Sequence, residues 1–245
     1  MLFKSNIIGL VGGGPKPAFP PNQFVLWDDH QKKSIGTIDF KTNIKAIRLR
    51  KDYIAVVLDN ETHVHSFNSL EKIDVIETAS NSTGIISICS SKSSCAIALP
   101  DKVTGSVLLK FYSDATPRAS SIKAHKKAIT AIALNEEGTL LATASAKGTT
   151  IRVFSTASLK FIQELRRGIS TAKVSQITFH PSSLFLACTS EKESIHIYEL
   201  SETNKYFEDN NLTISKSSPD KSLKPHLTIG DDTKNKTAKY NSNEG

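Results

Sequence analysis

Two adjacent arginines followed by a glycine, Arg166-Arg167-Gly168, are the residues of this sequence best suited to binding an anion. They follow a stretch, residues 160–165, whose composition predicts a β-strand, and adjacent residues of a strand point to opposite faces. We therefore expect the two arginines to serve separate pockets, one on each side of the strand. Each guanidinium offers a planar fork of N–H donors that matches a phosphate group. Gly168 is expected to let the chain turn immediately afterwards.

Matching polar side chains come from an internal repeat, in which residues 132–154 realign on residues 177–198 with an offset of 45 and then 44 residues. The aligned polar pairs are Ser145 with Ser190, Thr149 with Ser194, and Arg152 with His196. Hydroxyl groups beside a guanidinium are the mixture that phosphate recognition needs. Gly148 would also permit a close approach of the backbone. The repeat thus predicts two related anion sites.

Basic residues are concentrated in the same part of the chain. Residues 118–173 contain ten Lys and Arg against three Asp and Glu, whereas residues 201–245 contain seven of each sign. The formal charge of +7 therefore belongs to one stretch, which indicates a phosphate-bearing partner on lipid or nucleic acid, or else a solvated face that aids solubility. Nucleic-acid binding usually needs exposed aromatic residues. Because the strand pattern predicts burial of both Phe154 and Phe161, we expect no nucleic-acid partner.

The elements that must position these residues are short strands. Runs of Val, Ile, Leu, Phe and Thr, broken by Gly, Asn, Asp, Ser and Pro, predict an all-β fold over residues 1–200. The repeat period matches the roughly 40 to 45 residues of a four-stranded blade in a WD40-like β-propeller. At that length the chain holds about five blades, which predicts an incomplete ring. Residues 201–245 are polar and predict a disordered tail or a membrane-facing loop.

Several motifs together resemble those of the PROPPIN family, a group of seven-bladed β-propellers. They are Leu165-Arg166-Arg167-Gly168, Ala124-His125, residues 142–152 and Leu26-Trp27-Asp28-Asp29. The Leu form of the arginine motif is typical of the subgroup that resembles the mammalian WIPI proteins three and four. The resemblance covers about residues 5–200. It implies binding of phosphatidylinositol 3-phosphate and phosphatidylinositol 3,5-bisphosphate by a peripheral membrane scaffold in autophagy and endolysosomal traffic.

The resemblance also implies two sets of site residues. The first set is His125, Thr143, Ser145, Gly148, Thr149, Arg152 and Arg166. The second set is Arg167, Gly168, Ser190, Ser194 and His196. Recruitment to preautophagosomal, endosomal or vacuolar membranes is implied as well, together with an autophagy lipid-transfer protein as partner. The alternatives are a WD-repeat protein-interaction scaffold without lipid binding and a basic nucleic-acid-binding propeller.

Other kinds of chemistry find little support in the sequence. No residue lies in a nucleophile motif such as GxSxG, so we expect no enzymatic activity. His63 and His65 share a strand face without a suitably spaced third ligand, so we expect neither a metal site nor a cofactor. Cys89, Cys95 and Cys188 are widely separated and predict buried, reduced thiols. No apolar run approaches the roughly 20 residues of a membrane-spanning helix, which predicts a cytoplasmic protein without a transmembrane segment.

Overall fold

The computed structural model describes residues 5–91, 95–112, 117–192, 194–209 and 237–240. The chain forms two compact units. The first unit comprises residues 1–86 and 100–103, and the second comprises residues 87–99 and 104–245. Antiparallel sheets make up both units, and consecutive strands pair in chain order within each sheet.

The first unit contains two sheets. The first sheet has three strands, β1 (Ile7–Val11), β2 (Gln23–Asp28) and β3 (Lys33–Asp39). The second sheet has four, β4 (Ala46–Leu49), β5 (Tyr53–Val57), β6 (Glu61–Ser66) and β7 (Lys72–Glu77). Apolar side chains of the two sheets pack into one core, which includes Phe24, Leu26, Ile54 and Val56. The nearly continuous apolar run of β5 is buried because both of its faces are covered.

The second unit is built around three four-stranded sheets. The third sheet contains β8 (Ser87–Ile88), β9 (Cys95–Pro100), β10 (Ser106–Tyr112) and β11 (Arg118–Lys123). The fourth contains β12 (Ile129–Leu134), β13 (Leu140–Ser145), β14 (Thr150–Ser155) and β15 (Phe161–Arg166). The fifth contains β16 (Val174–Phe179), β17 (Phe185–Ser190), β18 (Ile195–Glu199) and β19 (Thr237–Tyr240). The three cysteines are buried free thiols, as predicted.

The internal repeat of the sequence is a repeat of strand register. Ile129 pairs with Ser145 in the fourth sheet, and Val174 pairs with Ser190 in the fifth. In each sheet the register shifts immediately after that pair, so the irregularity recurs at the same offset of 45 residues as the sequence repeat. The aligned serines therefore occupy equivalent places at the same end of two successive sheets. One apolar core, which includes Val153, Leu165, Leu186 and Tyr198, joins the two sheets.

A short helix, α1 (Ser201–Asp209), follows β18 and packs on the outermost strand of the fourth sheet. The Phe207 side chain is buried in the core between the fourth and fifth sheets, and the Thr203 hydroxyl donates to Gln163 Oε1 at 3.1 Å. The predicted polar tail thus contributes α1 and β19, while residues 210–236 and 241–245 lie outside the described part of the chain, where disorder or a membrane-facing loop stays a prediction. No helix among the described residues has the length and apolarity to span a membrane.

Candidate functional site

Arg166 and Arg167 lie at the end of β15 in opposite environments. Arg166 pairs with Thr150 of β14, and its side chain is exposed. The Arg167 side chain is only 6% exposed. Burial raises the pKa values of Cys188 and Tyr198 in the fifth sheet, and the positive charge of Arg167 opposes that rise, so Arg167 lies on the side of that sheet. This arrangement agrees with the alternation of side chains expected from the sequence.

The Arg167 guanidinium makes two hydrogen bonds within the protein. Nε donates to the carbonyl oxygen of Gly148, and Nη2 donates to the carbonyl oxygen of Ser170. The backbone N–H of Arg167 donates in addition to the carbonyl oxygen of Thr149 at 2.9 Å. Arg167 therefore joins the turn between β13 and β14 to the segment that leads into β16.

The structure requires glycine at 148 but not at 168. Gly148 has a φ of 61°, and a Cβ atom there would lie 1.8 Å from the carbonyl oxygen of Ala172. The close approach predicted at Gly148 is thus an approach to the chain's own backbone. A Cβ atom at Gly168 would meet no atom within 4 Å, and its φ lies outside the left-handed region. The chain bends at residues 169 and 170, directly after Gly168, and this bend does not itself require a glycine at position 168.

Three residues of the first predicted set form a hydrogen-bonded group on one face of the fourth sheet. His125 Nε2 lies 3.0 Å from the Thr143 hydroxyl, and Thr143 has no exposed surface. Burial lowers the pKa of His125, and the charge of Arg152 adds to that effect, although the bond to Thr143 and the Glu164 carboxylate oppose it. Burial thus favours the neutral form of His125, and its bond to Thr143 links the loop after β11 to β13. His125 lies beside the strands rather than at their end.

The other residues of the first set meet at the end of the fourth sheet. Ser145 ends β13, Gly148 and Thr149 form the turn into β14, and Arg166 ends β15. The Gly148 N–H donates to the Ser145 carbonyl oxygen at 2.8 Å, which closes the turn. Thr143 lies two residues before Ser145 in β13, about 7 Å from that end of the strand. The structure thus divides the first set into an end group, which contains Arg166, and a supporting group, which contains His125 and Thr143.

A pocket of about 260 Å³ lies beside the supporting group. Its lining residues are Lys123, Ala124, Arg152, Phe154, Phe161 and Glu164. Arg152 Nε donates to Glu164 Oε2 at 2.8 Å, and Arg152 Nη1 donates to the Ala124 carbonyl oxygen at 2.8 Å. Phe161 is 54% exposed, so its predicted burial is wrong. It begins the outermost strand, where no further strand covers that side chain in the described structure.

The second predicted set lies on the face of the fifth sheet that turns toward the fourth. Ser190 is 8% exposed, and its hydroxyl oxygen has no hydrogen-bond partner among the described residues. The Ser194 hydroxyl lies 3.0 Å from Nε2 of His196, which is 3% exposed. Arg167 lies near the same face, where its charge opposes the rise that burial causes in the pKa of Cys188. A buried, unpartnered hydroxyl is costly for a fold, which marks this face as a place where a ligand could supply the missing bond.

The sequence did not predict several residues that contact the second predicted set or its neighbouring loops. The Tyr198 ring stacks on the His196 ring with centroids 6.2 Å apart, and Cys188 pairs with His196 across the strands. Lys192 Nζ donates to the Ser170 hydroxyl. Period-two alternation from His196 and Ser190 would have placed Tyr198 and Cys188 on the same face. The contact between Lys192 and Ser170 had no signal in the sequence, because it joins two loops.

Comparison with known proteins places these features in a family. A sequence model of the PROPPIN family matches residues 2–217. The chain is 38% identical over 201 residues to SVP1-like protein 2 of Emericella nidulans, covering 82% of this chain and 62% of that protein. It is 34% identical over 209 residues to autophagy-related protein 18e of Arabidopsis thaliana, covering 82% and 53% respectively. The chain therefore spans about half to two thirds of the length of these curated relatives.

A solved structure supports the same fold. Hsv2 of Kluyveromyces lactis superimposes with a TM-score of 0.70 at 22% sequence identity, covering 89% of this chain and 65% of that one. The prediction of an all-β, WD40-like propeller chain with about five blades is confirmed, each of the five sheets being one blade. The family is one of non-enzymatic binding proteins, in line with the expectation from the sequence. With its family match over 2–217, its repeated four-stranded sheets and its paired arginines, the chain belongs to the PROPPIN family.

Proposed function

We propose that this protein binds phosphoinositide headgroups at two pockets, one on each side of the end of β15. The lipids we propose are phosphatidylinositol 3-phosphate and phosphatidylinositol 3,5-bisphosphate. The observation that carries the proposal is the opposite placement of Arg166, which is exposed, and Arg167, which lies against the fifth sheet. Two guanidinium groups so separated can each bind a different phosphate group.

The first pocket consists of the end group of the fourth sheet. Arg166 supplies the charge, and the hydroxyls of Ser145 and Thr149 supply neutral hydrogen bonds. Gly148 sets the course of the turn, and His125, Thr143 and Arg152 hold the neighbouring strands and loop in place. This division assigns the anion contacts to the sheet end and a supporting role to the strand face.

The second pocket consists of Arg167, Ser190, Ser194 and His196, with Gly168 beside them. The unpartnered Ser190 hydroxyl supports it, because a phosphate oxygen would accept the hydrogen bond that the protein itself leaves unmade. Binding here must compete with the bonds that Arg167 already makes to Gly148 and Ser170. We therefore expect the second pocket to bind its headgroup more weakly than the first.

Membrane scaffolding in autophagy and endolysosomal traffic is the cellular role we propose. The autophagy-related designation of the Arabidopsis relative supports it. An autophagy lipid-transfer protein is the partner we propose. Preautophagosomal, endosomal and vacuolar membranes are the proposed destinations, reached from the cytoplasm.

Flotation with phosphatidylcholine vesicles that contain phosphatidylinositol 3-phosphate tests the proposal. The variants are Arg166→Ala, Arg167→Lys and the two combined, with Lys160→Ala as a control that removes an exposed charge at the other end of β15. A lost charged contact is worth about 1.5 to 3 kcal/mol, so Arg166→Ala should weaken binding about tenfold or more. Arg167→Lys keeps the charge but loses the guanidinium fork and should weaken binding less, and the double variant should bind most weakly. Equal binding by the double variant and the wild type would refute the proposal and favour a protein-interaction scaffold without lipid binding.

Nucleic-acid binding is the second candidate, because Phe161 is exposed beside Lys123 and Arg152. An exposed aromatic ring next to cations can stack on a base. The Glu164 carboxylate in the same pocket opposes a phosphate backbone there. Competition by RNA against phosphoinositide vesicles at physiological salt distinguishes the two candidates. Displacement by RNA that Phe161→Ala abolishes would favour nucleic acid.

A further inference from the structure

Ile169 is the most exposed of the large apolar side chains in the described structure, with 86% of its surface accessible. It follows the two arginines and Gly168 directly in the chain. Such an exposed isoleucine packs against almost nothing, so it contributes little to the stability of the fold. Its exposure is therefore available for an interaction with another surface.

The loop that carries Ile169 is held in place from both sides. Arg167 Nη2 donates to the carbonyl oxygen of Ser170, and Lys192 Nζ donates to the Ser170 hydroxyl. Ala172, two residues after Ser170, is buried, and its carbonyl oxygen lies against Gly148. The exposed apolar side chain thus stands on a braced segment at the end of the fourth and fifth sheets.

Cations surround this segment. Lys147 adjoins Gly148 and Lys173 adjoins Ala172, so the contact between Gly148 and Ala172 brings the two lysines into one region. Lys192 bonds to Ser170, and Arg166 is exposed three residues before Ile169. Glu191 is a nearby acid; its carboxylate accepts from the backbone N–H of Lys173. An apolar side chain on a segment with several neighbouring lysines and an arginine has the composition that favours the boundary between acidic headgroups and acyl chains.

We propose that Ile169 inserts into the surface of an anionic bilayer while the surrounding lysines contact lipid headgroups. The proposal rests on the proposed function and extends it to the acyl-chain boundary of the membrane. Both proposed headgroup pockets lie at the same end of their sheets as Ile169, because Ser145 and Ser190 end equivalent strands. One apolar contact between two headgroup contacts would fix a single orientation of the fourth and fifth sheets on the membrane.

The test compares Ile169→Ser with Val103→Ser in the full chain. Val103 is 58% exposed and belongs to the other compact unit, so its variant makes the same chemical change elsewhere. Vesicles containing phosphatidylinositol 3-phosphate should bind Ile169→Ser about tenfold more weakly than wild type, and Val103→Ser as wild type. Binding of soluble inositol 1,3-bisphosphate should be equal in all three proteins. Ile169→Cys carrying an environment-sensitive dye should show a blue shift on vesicles, since the native cysteines are buried and escape labelling.

Three results would overturn the inference, and they can be told apart. Equal vesicle binding by wild type and Ile169→Ser, without a shift of the dye, would refute insertion and leave the proposed headgroup binding intact. Failure of the wild type to prefer phosphoinositide vesicles or to bind the soluble headgroup would refute the proposed function and the inference together. Loss of a protein partner by Ile169→Ser with unchanged vesicle binding would assign Ile169 to a protein interface.

Discussion

An arginine lies on each side of the end of β15, but in the described structure only one of the two supports the loops beside it through side-chain hydrogen bonds to other parts of the protein. On the side of the fourth sheet, Arg166 is exposed and the end group around it leaves its charge in solvent. On the side of the fifth sheet, Arg167 is buried and bonded to Gly148 and Ser170. Two adjacent arginines of one motif can thus differ in role, since the first leaves its charge exposed while the second holds two loops together.

The Ser190 hydroxyl, unlike the Arg167 side chain on the same side, makes no hydrogen bond within the described structure. Ser190 is buried with an unpartnered oxygen on the side where the arginine is already bonded. A phosphate bound there would gain the Ser190 bond but would have to share Arg167 with two carbonyl oxygens. Substitutions at the two sides should therefore separate effects on stability from effects on ligand binding.

The largest expected effect is at the turn that Arg167 holds. Gly148→Ala should lower the free energy of unfolding by at least about 3 kcal/mol, because it combines a left-handed φ with overlap against the Ala172 carbonyl oxygen. Gly168→Ala should change it by less than about 0.5 kcal/mol, since that site is open. Urea unfolding of both variants measures the difference. Similar losses in the two would show that the turn adapts and that Arg167 has no fixed partner there.

The second-largest expected effect is the difference in stability between alanine variants of the two arginines. Arg167→Ala should lower the free energy of unfolding by about 2 to 3 kcal/mol through the loss of charged hydrogen bonds, and Arg166→Ala by less than about 0.5 kcal/mol. Thermal and urea unfolding provide the measurement. An Arg166→Ala variant as unstable as Arg167→Ala would contradict the structural difference between the two sides.

Acidic pH should lower the free energy of unfolding through His125. Burial holds the pKa of His125 below its ordinary value of about 6.5, so the unfolded chain binds a proton more readily than the folded protein. Stability is therefore full above about pH 6.5 and falls as the pH drops below that value toward the folded-state pKa. Urea midpoints at neutral and mildly acidic pH should differ less in His125→Gln than in wild type. An unchanged pH slope would show that other groups, among them His65, whose pKa burial also lowers, dominate the effect.

The smallest expected effect concerns Glu164, which pairs with Arg152 on the side of the fourth sheet. Both side chains are about 40% exposed, so breaking the pair with Glu164→Gln should change stability by less than about 1 kcal/mol. Removal of a negative charge near the first pocket should raise affinity for phosphoinositide vesicles about twofold at low salt. Vesicle titration at two ionic strengths provides the test. A decrease in affinity would instead make Glu164 a supporting residue through Arg152.

The fold and the division of the arginines follow from local patterns, whereas burial and bracing do not. The offset of 45 residues predicts equivalent strands, and the structure repeats it down to the register shift after Val174. Period-two alternation predicts that the Arg166 and Arg167 side chains lie on opposite faces of the strand. The exposure of Phe161 depends on its position in an outermost strand, and the bond from Lys192 to Ser170 depends on two loops meeting. Such features arise from tertiary packing, which a single sequence does not encode locally.

The number of headgroups bound per chain tests the central claim most directly. Calorimetric titration with soluble inositol 1,3-bisphosphate should give two sites of unequal affinity for the wild type. Ser190→Ala should leave the stronger first site, and Ser145→Ala should leave the weaker second site. Ser190→Ala suits the test because its hydroxyl makes no hydrogen bond in the described structure, so the change should leave folding intact. Two sites in the wild type, each lost separately, would agree with pockets on opposite sides of β15. A single site that both substitutions weaken equally would contradict the account.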